Sequence, residues 1–113
     1  MTAKEMFKKI GYKRKIYSYK SKAKKCSNGM QYIKKGTNGR TPEDELKYCG
    51  TTTTKTIEIY FHHKEICIYT EQEYRDGTTR KWDLGILNFN EFKAIQQQIK
   101  ELGWEVCDEY KKN

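Results

Sequence analysis

Apolar positions recur along this 113-residue chain with two different spacings, one helical and one alternating. At the start, Met6, Phe7 and Ile10 fall on one helical face. Thr2 and Glu5 stand before them as T-x-x-E, a pattern in which hydroxyl and carboxylate each satisfy a free backbone N–H. Gly11 is placed to take the left-handed conformation that ends a helix. The same grammar returns near the other end. Asn88 with Glu91 forms a second capping pair, Phe92, Ile95, Ile99 and Leu102 follow with helical spacing, and Gly103 closes the run. This stripe predicts core, with Gln96, Gln97, Gln98 and Lys100 turned outward. Both runs end as apolar-Gly-aromatic, Ile10-Gly11-Tyr12 and Leu102-Gly103-Trp104, so each aromatic is expected to fold back on its last turn.

Between these ends the period changes to two. Ile57, Ile59 and Phe61 alternate with Glu58 and Tyr60, and Ile66, Ile68 and Thr70 alternate with Cys67 and Tyr69. A turn is expected at His62–Glu65. Asp76-Gly77 predicts a hairpin leading into a strand from about Thr79 to Leu87. Upstream, Lys13–Lys20 and Met30–Lys35 read as strands joined by a turn at Asn28-Gly29. Thr41-Pro42 followed by Glu43, Asp44 and Glu45 has the chemistry of a helix start, with a hydroxyl cap, Pro at the first position and acids facing the dipole. That helix reaches Tyr48 or Cys49 before Gly50, and the Thr51–Thr54 run fits a loop or the start of a strand. Trp82, Phe89 and Trp104 are expected to pack. The pattern predicts an α+β fold, an antiparallel sheet of about five strands flanked by an N-terminal and a C-terminal helix, with a short helix in the middle.

Composition adds a boundary condition. A chain of this length predicts one domain over 1–113, with a basic N-terminal third at 1–40 and a mixed-charge remainder at 41–113. The apolar fraction is 35% and the charged fraction 34%, but 13% aromatic content argues against disorder. No stretch approaches the roughly 20 apolar residues that span a bilayer, and the opening Met-Thr-Ala-Lys-Glu lacks the apolar centre of a secretion signal. Cys26, Cys49, Cys67 and Cys107 permit three pairings, yet reduced thiols are the expectation for a protein kept inside the cell.

Charge changes the picture most. The first 40 residues hold 13 Lys and Arg against the single acid Glu5, a net +12, whereas the remaining 73 hold 10 against 14, a net −4. Concentrated positive charge favours a polyanion, through steering and counterion release. The candidate binding residues are Lys13, Arg14, Lys15, Lys20, Lys22, Lys24, Lys25, Lys34, Lys35 and Arg40, with Tyr17 and Tyr19 interleaved as stacking groups. Strand alternation places Lys15, Tyr17 and Tyr19 on one face and Ile16 and Ser18 on the other. Lysine outnumbers arginine by 19 to 4, which favours backbone contact over reading of base edges. The plain counter-reading is a solvated lysine surface that serves solubility alone.

With both ends placed, "MTAKEMFKKIGY" and "FKAIQQQIKELGW" resemble the two ends of small accessory proteins encoded by phages and prophages of Gram-positive bacteria. The resemblance implies a cytoplasmic protein of a bacterial host, one acting on host defence or on DNA metabolism, and carries no catalytic residues. Taken with the lysine-rich face, it points to a non-enzymatic counter-defence inhibitor or modulator that binds nucleic acid or a nucleic-acid-guided, CRISPR-like effector. The alternatives are a sponge for anionic signalling nucleotides and a protein-interaction or assembly module with incidental charge.

Other chemistries find little support. His62 and His63 are adjacent, so on a strand they point to opposite faces, and no cysteine pair has zinc-site spacing; no metal and no cofactor are expected. No G-x-S-x-G, P-loop or dinucleotide fingerprint occurs. Glu58, Asp76 and Asp83 could meet only in three dimensions. Oligomeric state is not legible.

Overall fold

A computed structural model describes residues 1–20, 25–36, 41–82 and 85–104, with the backbone alone at 17–20 and 25–28. The chain runs α1 (Ala3–Lys9), β1 (Lys13–Lys20), β2 (Lys25–Lys35), α2 (Pro42–Cys49), β3 (Thr51–Tyr60), β4 (Glu65–Tyr74), β5 (Thr79–Trp82) and α3 (Phe89–Leu102). The five strands form one open antiparallel sheet in sequence order. This is the α+β architecture that the periodicities predict.

The helix ends obey the sequence grammar. Thr2 Oγ1 accepts the Glu5 N–H at 3.2 Å while Glu5 accepts the Thr2 N–H at 3.2 Å. Asn88 Oδ1 accepts the Glu91 N–H at 2.8 Å, and Glu91 accepts the Asn88 N–H at 2.9 Å. At the C-termini, the Tyr12 N–H donates to Phe7 O and the Trp104 N–H to Ile99 O, so each aromatic does return to its last turn. Gly11 and Gly103 hold φ of +95° and +72°, where a side chain would be strained.

The helices α1 and α3 cover one sheet face. Cross-strand pairs set that face: Arg14 and Ile16 lie opposite Tyr32 and Met30, which pair with Ile57 and Ile59, and these pair with Ile68 and Ile66. Phe7 from α1 stacks on Tyr32 with ring centroids 3.8 Å apart and meets Tyr12 edge-on at 5.5 Å. Ala3, Phe7, Tyr12, Met30, Tyr32, Ile57, Ile59, Ala94 and Ile95 form the buried core. Each large member contributes roughly 1.5–3 kcal/mol by leaving water.

Polar groups inside this core are paired. The Tyr32 hydroxyl donates to Gln98, and the Tyr12 hydroxyl donates to Glu91. Glu91 also takes Lys55 Nζ at 2.9 Å, the only ion pair among the described residues. Burial pushes the Glu91 carboxyl up, but the Asn88 N–H, Lys55 and the Tyr12 hydroxyl outweigh it and hold the group below its usual range. The Tyr12 hydroxyl moves the other way, raised by burial and then by the neighbouring carboxylate.

Several expectations need correction. Asn28-Gly29 is no turn: β2 begins at Lys25, and the register steps from Tyr17↔Gly29 to Ser18↔Ser27, leaving Asn28 as the extra residue of a bulge. The β3–β4 turn spans Phe61–Lys64, one residue earlier than predicted, with Lys64 at φ +53°. The last strand stops at Trp82 rather than running to Leu87, because the chain then crosses Ile68, where a Cβ on Gly85 would overlap that side chain. Within α3, Gln98 is buried at 3% exposure while Phe92 and Phe89 stand out at 46% and 73%. The Tyr32 hydroxyl explains Gln98: an amide on the inner face supplies its acceptor. The Thr51–Thr54 run is strand, as its β-branching favours.

Candidate nucleic-acid interface

Among the described helices, only α2 lies on the second face of the sheet, at one end. Thr41 caps that helix by accepting the Asp44 N–H at 3.1 Å, and Gly50 ends it at φ +75°. Glu45 does more than face the dipole. It is buried and accepts the Thr53 N–H beyond the last β2–β3 pair, Lys35↔Thr54, where the ladder has run out. Thr52 Oγ1 donates to Pro42 O at 3.4 Å, and Arg75 holds the far end through Leu46 O and Lys47 O at 3.0 and 2.9 Å. These contacts fix α2 over the start of β3.

Beyond α2 the face is polar. Register puts Lys15 opposite Gln31, Gln31 opposite Glu58 and Glu58 opposite Cys67. Gln31 Nε2 donates to Glu58 and to the Tyr69 hydroxyl, the latter at 3.3 Å, and the Tyr60 hydroxyl donates to the other Glu58 oxygen. Glu58 is thereby only 8% exposed although no described helix covers it. Burial, then the Glu58 carboxylate, push the Tyr69 hydroxyl up, so it remains neutral. Lys81 Nζ sits 4.1 Å from the Tyr69 ring centroid, a cation–π contact that closes the ring's outer side.

Charge is graded across this face. Lys13, Lys15 and Lys35 stand exposed on the β1–β2 side, whereas Glu65, Glu71 and Glu73 are exposed along β4. A phosphate chain is attracted to the first margin and repelled from the second, so an approach along the β1 edge is favoured.

The structure divides the candidate residues. Lys13, Lys15 and Lys35 share the open face. Arg14 belongs to the helical face, beside the Tyr32 hydroxyl, and Lys34 Nζ lies 5.9 Å from the Tyr12 ring centroid on that same side. Even spacing along β1 and β2 forces this split, because neighbours in a strand point oppositely. Tyr17, Tyr19, Lys20 and Lys25 lie on strand backbone whose side chains are outside the described residues. Lys22, Lys24, Arg40 and Asp83 lie outside the described residues altogether.

Sequence reasoning passed over Gln31, Glu58, Tyr60, Tyr69 and Lys81 as a group. Their signal is present as the polar phase of the β alternation, but the pairing that gathers them is long-range. Equally hidden from sequence is a cleft of about 430 Å³, lined by Gly11, Lys13, Ile33, Lys35 and Pro42 between the α1–β1 corner and α2. Among the described residues no group of three metal-ligating side chains forms, and His62 and His63 pack edge to face at 4.9 Å. No described helix is long and apolar enough to cross a membrane. The chain matches no protein-family model, no curated protein and no solved structure.

Proposed function

We propose that this chain is a non-enzymatic, stoichiometric binder of nucleic acid, or of a nucleic-acid-guided host effector, of the counter-defence type that phages carry. One observation carries the reading: the helices α1 and α3 occupy a single face of the sheet, and the other presents Lys13, Lys15 and Lys35 beside a paired polar centre. Two identical walls of core residues would serve stability alone. A cation margin next to hydrogen-bonding groups suits a phosphate backbone whose bases turn inward. Lys81 already covers Tyr69, so electrostatic contact carries the affinity and base stacking is secondary. A basic margin does not enter a basic channel unaided, so an effector target implies contact through its bound guide or target strand.

The test is binding of the full chain to labelled single- and double-stranded DNA and RNA across a salt series. Tight binding with a steep negative dependence of log K on log salt is expected. No binding at low salt would remove free nucleic acid as the partner.

A second reading, a protein-interaction module, draws on a different patch. Ile86 is 84% exposed and stands with Phe89 and Phe92 at the start of α3, away from the lysine margin. Salt-insensitive retention of a protein partner, abolished by Phe89→Ala with Phe92→Ala, would favour it.

A further inference from the structure

The geometry points to the cleft at Lys13, Lys35, Ile33, Pro42 and Gly11 as a seat for one phosphorylated nucleoside unit. Its volume of about 430 Å³ lies within the roughly 300–1,000 Å³ of small-ligand sites. Its wall chemistry is divided. Lys13 and Lys35 are exposed cations, and neither has an ion-pair partner among the described residues. Lys13 pairs with Ile33 across the β1–β2 ladder, and Lys35 is two residues further along β2, so both side chains rise from the same face on either side of one apolar residue. An anion seated between two such cations is attracted by both.

Ile33 and Pro42 supply the remaining surface, half-buried and apolar, against which a ribose or base can lie. Gly11 completes the rim at φ +95°. A Cβ there would stand 3.3 Å from the Lys34 side chain. No side chain of the cleft offers a paired donor and acceptor for a base edge, so no base preference is expected. The nucleoside part of this assignment rests on the proposed nucleic-acid reading; the anion-plus-apolar chemistry does not.

Amide chemical shifts of the full chain titrated with AMP, adenosine and inorganic phosphate test the seat. AMP should move the Gly11, Lys13, Ile33 and Lys35 resonances, and adenosine should bind at least about tenfold more weakly, since its loss is a charge-assisted contact. The double variant Lys13→Ala with Lys35→Ala should abolish the AMP shifts, while Lys4→Ala with Lys93→Ala, which removes equal charge from exposed helical positions, should retain them. Both pairs are surface changes, and an unchanged amide spectrum verifies folding. No AMP shifts at those four residues, or equal shifts with adenosine, would overturn the assignment.

A ten-nucleotide strand then separates the sources. Mutually exclusive binding with AMP assigns the seat to one unit of a strand, and simultaneous binding assigns it to a free nucleotide; either supports the seat. Loss of all strand binding with AMP shifts intact ends the nucleic-acid reading alone, whereas strand binding without AMP shifts ends the seat alone.

Discussion

The two faces of one sheet, built from alternate residues of the same strands, solve opposite problems. On the helical face Tyr32, Met30, Ile57 and Ile59 leave water, and each buried polar atom has a partner: Tyr32 with Gln98, Tyr12 with Glu91, Glu91 with Lys55. On the open face Gln31, Glu58, Tyr60 and Tyr69 also pair with one another, yet they are bordered by exposed lysines, with α2 at one end of the face, rather than covered by α1 and α3. The first arrangement holds the fold. The second leaves cations unneutralised around an ordered centre, which lowers the reorganisation needed when an anion arrives. The contrast teaches that period-two alternation marks two surfaces and only the helices decide which becomes core.

The largest effect that separates the faces is in stability. Tyr32→Ala removes a stacked, fully buried ring and should lower unfolding free energy by about 3–5 kcal/mol. Lys15→Ala, on the open face, should stay within about 0.5 kcal/mol. Urea denaturation of both variants checks the pair, and equal losses would erase the distinction.

Next comes the polar latch at the helical edge. Glu91→Gln removes the Lys55 ion pair and weakens the Tyr12 bond, with an expected loss of about 2–3 kcal/mol at neutral pH. Because the folded carboxyl is held below its usual value of 4.5, its contribution is complete above that pH and declines as pH falls through the lowered folded value. The gap between wild type and Glu91→Gln, followed by denaturation from pH 7 downward, should therefore narrow below about pH 4.5. A constant gap would mean the ionised form is not what stabilises the latch.

A smaller loss is expected at the crossing after β5. Gly85→Ala sets a methyl group against Ile68, an overpacking change of about 1–3 kcal/mol. Its thermal midpoint should drop, and Ile68→Val in the same chain should recover part of the loss.

The open face is probed by binding. Lys13→Glu, Lys15→Glu and Lys35→Glu together should reduce strand affinity tenfold or more and flatten the log–log salt slope by roughly two units if three phosphate contacts are lost. Reversing Arg14 and Lys34, which belong to the other face, should do less. Fluorescence anisotropy at several salt concentrations reads both quantities.

Much of the covered face is legible in the amino-acid sequence. The capping pairs Thr2/Glu5 and Asn88/Glu91, the terminal glycines and the stripe through Ile95 are local signals, complete within a few residues. Sequence misleads where a distant group intervenes. Gln98 faces inward because Tyr32, 66 residues away, needs an acceptor, and the final strand ends early because Ile68 underlies Gly85. Asn28-Gly29 has turn chemistry but serves a bulge, since the register of β1 against β2 is set by their whole length. For the interface, lysine counting finds the basic third but does not sort Lys13, Lys15 and Lys35 from Arg14 and Lys34. Only strand register does that, and only register brings Glu58 beside Gln31 and Tyr69.

The most direct test of the central claim is an amide chemical-shift map of the full chain titrated with a short single strand of DNA or RNA at low salt. Perturbation concentrated at Lys13, Lys15, Gln31, Lys35 and Glu58, with Ala94, Ile95 and Ile99 of α3 unmoved, is the predicted result. Perturbation centred on α3, or none on either face, would contradict the assignment of the uncovered face as the binding surface.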